Sequence, residues 1–284
     1  MMSSGIREPA VAGRFYPADQ QELARTVSGM LAEADKDLRD RGLSPSQWGQ
    51  SPNASHGSCR GVIAPHAGYA FSGPTAALSF AAARAAWTGR TPSRAVLLGP
   101  AHYVACRQLT APNAQFFATP VGRHPVDVEA VQYLAADGRV SLSDAAHQPE
   151  HSLEVMLPFV HAVWSELPVL PLLCGGSGVQ EAAEILDEVL QTDDILIISS
   201  DLSHFYPPET AERLDVGLLQ SWERRDPDGV LAGEACGKVP ILVSMELALR
   251  HNWQPQLLGY THSGAMQGGR ESVVGYGSGI YTQS

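Results

Sequence analysis

The segment Ile195 to Phe205, ILIISSDLSHF, constrains the fold more than any other stretch of the chain. Four consecutive apolar residues, Ile195 to Ile198, give way directly to Ser, Ser, Asp, Leu, Ser and His. A short Ile/Leu run flanked by Asp193 and Asp194 predicts a strand covered on both faces, as in a parallel sheet. In open α/β sheets ligands bind beyond the carboxyl ends of strands, so Asp201 and His204 fall where a site is expected. Two other segments repeat the plan. Gly61 to Tyr69 (GVIAPHAGY) runs from Val62-Ile63 into His66, and Arg94 to Tyr103 (RAVLLGPAHY) runs from Ala95 to Leu98 into His102. Three buried-strand candidates thus each carry an imidazole just past their last apolar residue.

With 284 residues the chain is long enough to bury an ample core without disulfides or structural zinc. An excess of 30 acidic over 19 basic residues, net −11, and the lack of any Lys/Arg cluster argue against a nucleic-acid or anionic-membrane surface. The opening MMSSGIREPAVAGRFYP lacks the apolar core of a signal peptide, and no stretch approaches the length of a membrane span, so a cytoplasmic location is expected. Cys59, Cys106, Cys174 and Cys236 are far apart and form no C-x-x-C pair, which excludes a zinc ribbon or thioredoxin motif.

Along the chain, Asp19 reads as the N-cap of a helix bearing Leu23, Val27, Met30 and Leu31 on one face, with Glu22 in capping-box position, packed on the sheet. Residues near 40–60 are polar and rich in Ser, Gly and Pro and read as an exposed insertion carrying His56. Gly73-Pro74 is expected to start an alanine-rich helix with Pro at its first position. His124-Pro125 opens another, with Val128, Val131 and Leu134. Residues 147–164 read as a helix kinked or broken at Pro158. Leu167 to Cys174 is a strand, and Gln180 to Leu190, Pro208 to Arg225 and Val239 to His251 are helices. QPQLLGYTHS and SVVGYGSGIYT close the chain as an antiparallel hairpin at a sheet edge. This order predicts a single α/β domain over 1–284, a three-layer αβα sandwich on a mixed, mainly parallel central sheet.

Imidazoles from separate strand ends can converge on one ion, and a neutral ring nitrogen suits Fe, Cu or Zn. His66 and His102 form the first candidate pair, although either ring could instead sit satisfied in a core. Cys236, in GEACGKVP just before a helix, is a candidate third ligand whose thiolate the helix dipole would favour; most isolated cysteines are simply small buried residues. Asp201 and His204, three apart, would share a face if their turn is helical, one orienting the other as a general base or second support to the metal. His147, Glu150, His151 and Glu154 form a further cluster that reads either as a site or as a solvated helix face. The absence of H-E-x-x-H, G-x-S-x-G, Walker-type and G-x-G-x-x-G motifs removes the usual support for zincin, hydrolase, P-loop and dinucleotide readings.

The pieces REPAVAGRFYP, APHAGYAFSG, LLGPAHY, EHSLEVMLPF, ISSDLSHF, ACGKVPI, and YTHSG with SVVGYGSGIY together resemble the Memo-like family, also labelled protein B of the AmmeMemoRadiSam system. The resemblance spans nearly the whole chain. It implies the fold of class III (LigB-like) extradiol dioxygenases and a mononuclear Fe(II) or Cu site held by His66, His102 and Cys236. It further implies His204, Asp201 and His151 as proton-handling or supporting groups, with Glu154 beside them. A thiolate in place of the dioxygenases' carboxylate sets classical ring cleavage in question. Ala265 stands where many relatives carry Asp, which removes a polar contact. The function implied is redox or O₂-dependent oxidoreductase chemistry on a small molecule or peptide, with other proteins of that system as partners. A non-catalytic peptide- or protein-binding module, or a metal carrier, using the same cleft is the alternative, and a zinc hydrolase a third reading.

Overall fold

Four parallel strands form the centre of the computed structural model, which describes residues 5–43, 59–176, 178–267 and 271–283. They are Cys59–Ala64, Asp194–Ser199, Arg94–Pro100 and Val169–Cys174, in that spatial order. Every residue in all four is buried, which accounts for apolar runs such as Ala95 to Leu98 and Ile195 to Ile198 within them. Val273–Thr282 extends the sheet antiparallel to Cys59–Ala64 and pairs on its other side with Gln254–His262, giving the expected terminal hairpin at the sheet edge. His204–Tyr206 adds a short antiparallel strand at one end of the path, and Thr110–Ala111 with Ser141–Leu142 lies at the other.

Helices cover the sheet to give the three-layer αβα sandwich. Tyr69–Ala86 lies on Cys59–Ala64 and Val273–Thr282, and its Ser79 hydroxyl donates to the Ile63 carbonyl at 2.6 Å. Lys238–His251 packs on Arg94–Pro100 and Asp194–Ser199. Strand alternation turns Gly275, Gly277 and Gly279 toward the helix Pro208–Glu223, where Asp215, Leu219 and Trp222 leave no room for a Cβ.

Several boundaries differ from expectation. The alanine-rich helix starts at Tyr69 rather than Pro74, because the Phe15 carbonyl accepts the Tyr69 N–H at 2.7 Å and secures an earlier first turn; Pro74 sits inside the helix on an exposed face. The helix Gln20–Asp40 is capped by Asp19 as expected, but it packs on Tyr69–Ala86 and Leu157–Val163 rather than directly on the sheet. Gly73 permits this, since a Cβ there would lie 2.7 Å from the Met30 sulfur. His124-Pro125 does not open a helix. Gly122–Pro125 is a strand paired with Phe116–Thr119, which in turn pairs with Ile6–Arg7, and the helix begins after Asp127 at Val128. Residues 147–164 are broken well before Pro158: Asp144–His147 ends, the chain turns, and Leu157–Val163 follows a 3₁₀ turn, with Pro158 in the first helical turn where its missing N–H costs nothing. Most of the insertion near 40–60, including His56, lies outside the described residues.

Candidate metal centre

His66, two residues past the end of Cys59–Ala64, and His102, two past Arg94–Pro100, meet at the carboxyl rim of the sheet with ring centroids 5.2 Å apart. The third ring there belongs to His151, 4.8 Å from His102 and 5.4 Å from His66. The nitrogens these three can offer all lie within 4.8 Å of one another, and theirs is the group able to hold a metal ion among the described residues. The strand Asp194–Ser199 separates the two strands that carry these rings, which the usual spacing sets about 10 Å apart, so it is the loops past the strand ends that bring the rings together.

Glu150 organises the His102 side. Its carboxylate accepts from the His102 ring Nδ1 at 2.9 Å and from three backbone N–H groups, those of His102 at 2.6 Å and of His151 and Ser152 at 2.9 Å. Burial opposes its ionisation, but these donors outweigh that and hold its pKa at about 2. The carboxylate therefore keeps His102 in the Nδ1–H form with Nε2 free. Burial lowers the pKa of His66 well below the usual imidazole value, and the neighbouring rings add to it. Burial likewise holds His151 at about 4. Neutral imidazoles are what a metal requires.

Cys236 reaches the same place from the turn before Lys238–His251. Its sulfur lies 3.3 Å from His66 Nε2 and accepts the Asp201 N–H at 3.2 Å. The expected helix-dipole activation is not the dominant influence on the free thiol: burial, with Asp201 adding to it, pushes its pKa upward.

Asp201 and His204 occupy an extended segment, not a helical turn, and do not bond each other. The Asp201 carboxylate accepts from the backbone N–H of His66 at 2.7 Å and of Ala67 at 3.3 Å, and burial raises its pKa to about 7. It therefore fixes the loop that carries His66. His204 is oriented instead by the Leu202 carbonyl, 2.8 Å from its Nδ1. Phe205 beside it has φ +66° and is 78% exposed. Across the site Tyr103, also exposed, places its hydroxyl 3.3 Å from His151 Nδ1, and Phe15 meets the His151 ring edge-on at 4.8 Å.

The remaining members of the acidic and histidine cluster are structural. Glu154 accepts from Arg7, from the N–H groups of Ala10 and Val11, and from the Tyr16 hydroxyl, so it anchors the N-terminal segment that delivers Phe15. His147 is buried with Nε2 2.9 Å from the Thr110 carbonyl. Glu150, one of the cluster that the sequence offers as a site or a solvated face, is the hydrogen-bonding partner of His102, whereas Ser199, the partner of His66, carries no distinguishing sequence pattern. The signal available for Glu150 was its place next to His151. Ala265 is exposed in the short helix Ser263–Gln267.

The model of the family described as Memo-like protein matches residues 7–280. A protein of Aeropyrum pernix described as a MEMO1 family protein is 32% identical over 285 residues, covering 95% of this chain and 98% of that one. Proteins described in the same words from Nitrosopumilus maritimus and Thermotoga neapolitana are each 30% identical, covering 96% and 97% of this chain and 98% and 99% of theirs. Among solved structures, an uncharacterized protein of Escherichia coli K12 superposes with a TM-score of 0.42 at 16% identity, over 66% of this chain and 87% of that one.

Proposed function

The chain belongs to the Memo-like protein family, and from the geometry at its sheet rim we propose that it binds one non-haem Fe(II) or Cu ion and uses it in redox or O₂-dependent chemistry. The observation that carries this reading is the convergence of His66, His102 and His151, with donor nitrogens within 4.8 Å of one another. The donor set fits such an ion: three imidazoles, a carboxylate behind His102, and a sulfur 3.3 Å from His66 Nε2. His66, His102 and His151 would hold it, with Cys236 beside His66 as the sulfur donor that the family resemblance brings forward. The bound ion would supply Lewis-acid polarisation and one-electron exchange.

The protein's own groups do the rest. Glu150 holds His102, and Asp201 holds the His66 loop through two backbone N–H groups. His204 donates from Nδ1 to the Leu202 carbonyl and keeps Nε2 to accept a proton from the hydroxyl of an organic substrate at the rim. Anaerobic purification followed by metal analysis and oxygen uptake against catechols and thiols tests this. His204→Ala is expected to abolish uptake with metal retained. Unchanged metal content after joint replacement of His66, His102 and His151 would sink the assignment.

A second reading, a binding module for a peptide or protein, is favoured by two exposed aromatic side chains. Tyr103 stands against His151 and Phe205 against His204, at 56% and 78% exposure. Full metal occupancy with no turnover on any substrate would select it. Among the described residues no helix is long and apolar enough to cross a membrane.

A further inference from the structure

The hydroxyl that faces the His66 ring is held between two partners. Ser199 is the last residue of the strand Asp194–Ser199 and is fully buried. Its Oγ lies 2.6 Å from the Ser152 carbonyl oxygen and 2.7 Å from His66 Nδ1. A carbonyl can only accept, and a serine hydroxyl has one proton. If that proton pointed to His66, two oxygens would face each other at 2.6 Å with no hydrogen between them, in a site without water contact. The proton therefore goes to Ser152, and the Ser199 lone pair must receive a hydrogen from the ring.

We infer that Ser199 is a positioning residue that holds the neutral His66 ring as its Nδ1–H tautomer and so presents the Nε2 lone pair to the site, toward Cys236. This rests on the metal-binding reading only for its consequence; the tautomer itself is a property of the metal-free protein. The segment 150–152 is then the common support of both strand-end rings. Glu150 fixes His102 through its carboxylate, while Ser152 fixes His66 through the Ser199 relay. Ser152 is itself tied to the sheet, its hydroxyl donating to the Pro100 carbonyl at 3.0 Å and its N–H to Glu150 at 2.9 Å. Replacing a group that orients a liganding imidazole typically lowers metal affinity by about 10- to 100-fold.

The test is ¹⁵N long-range NMR of the histidine rings in metal-free protein at pH 8, with Zn²⁺ affinity measured by competition against a chelating dye. In the unmodified chain His66 is expected to show a protonated Nδ1 and an unprotonated Nε2. Ser199→Ala should populate the other tautomer and weaken Zn²⁺ about 10- to 100-fold, and Ser199→Thr, which keeps the hydroxyl, should restore both. A protonated Nε2 in the unmodified protein overturns the inference without any variant, as does a Ser199→Ala ring that stays wholly Nδ1–H. A ring locked as Nδ1–H in a protein that takes up no metal supports the inference and sinks the metal-binding reading instead.

Discussion

Arg7 and Glu154, 147 residues apart in sequence, form an ion pair with 3% and 0% of their side-chain surfaces exposed. Arg7 also donates to the His147 and Glu150 carbonyls, and Glu154 also receives two backbone N–H groups and the Tyr16 hydroxyl. Removing either partner leaves the other buried without its counter-charge. Glu154→Ala is expected to cost about 3–5 kcal/mol in urea unfolding. Arg7→Met should cost less, because Glu154 keeps its three remaining donors. Equal costs for the two would show that the ion pair, not the set of hydrogen bonds, dominates.

Glu150→Gln should weaken metal binding and loosen the turn at His102, since the glutamine NH₂ cannot accept the His102 backbone N–H as the carboxylate does. The amide oxygen can still accept from the His102 ring, but the charge that makes the ring a better donor is gone. A loss of about tenfold in Zn²⁺ or Fe²⁺ affinity is expected, read by chelator competition. An affinity equal to that of the unmodified protein would mean that His102 is not a ligand.

Acid should destabilise the protein through His147. Burial holds its ring at about 4 in the folded chain, whereas an unfolded histidine titrates near 6.5. The unfolded chain therefore binds the extra proton first, and stability falls as pH drops from about 6.5 toward 4, by about 3 kcal/mol for this group. His147→Gln can still donate to the Thr110 carbonyl and should flatten the slope of unfolding free energy against pH by up to one proton, about 1.4 kcal/mol per pH unit. His124, held at about 4 by burial, contributes a slope of the same sign that this variant leaves in place.

Gly275 has no space for a side chain, since a Cβ would stand 1.8 Å from an Asp215 carboxylate oxygen. Asp215 accepts the Ser203 N–H and the Tyr260 hydroxyl, both at 2.9 Å, and so holds the segment leading to His204. Gly275→Ala is expected to cost about 1–3 kcal/mol in thermal or urea unfolding and to shift the His204 ring resonances. A neutral effect on both would show that Asp215 can turn aside freely.

The residue pattern alone carries the layered α/β architecture and the two strand-end rings. Runs such as Ile195 to Ile198 and Ala95 to Leu98 are apolar at every position and too short for a helix, which points to a strand buried on both faces, and a parallel strand's carboxyl end is where His66 and His102 then fall. It did not give the small sheet built on Ile6–Arg7, because a two-residue strand has no periodicity to read. Nor did it give the break before His151, where the turn is enforced by Glu150 accepting the N–H groups of residues 151 and 152.

Which groups meet is settled by the packing of the whole fold. His151 joins the two strand-end rings from a turn, Asp201 serves the His66 loop instead of His204, and Ser199 links that ring to Ser152. The partners in these contacts lie 47 to 135 residues apart in sequence. Sequence pattern reports which face of its own strand or helix a residue occupies. The angle at which one loop crosses another, and hence which lone pair finds which proton, is set by the packing of elements remote along the chain.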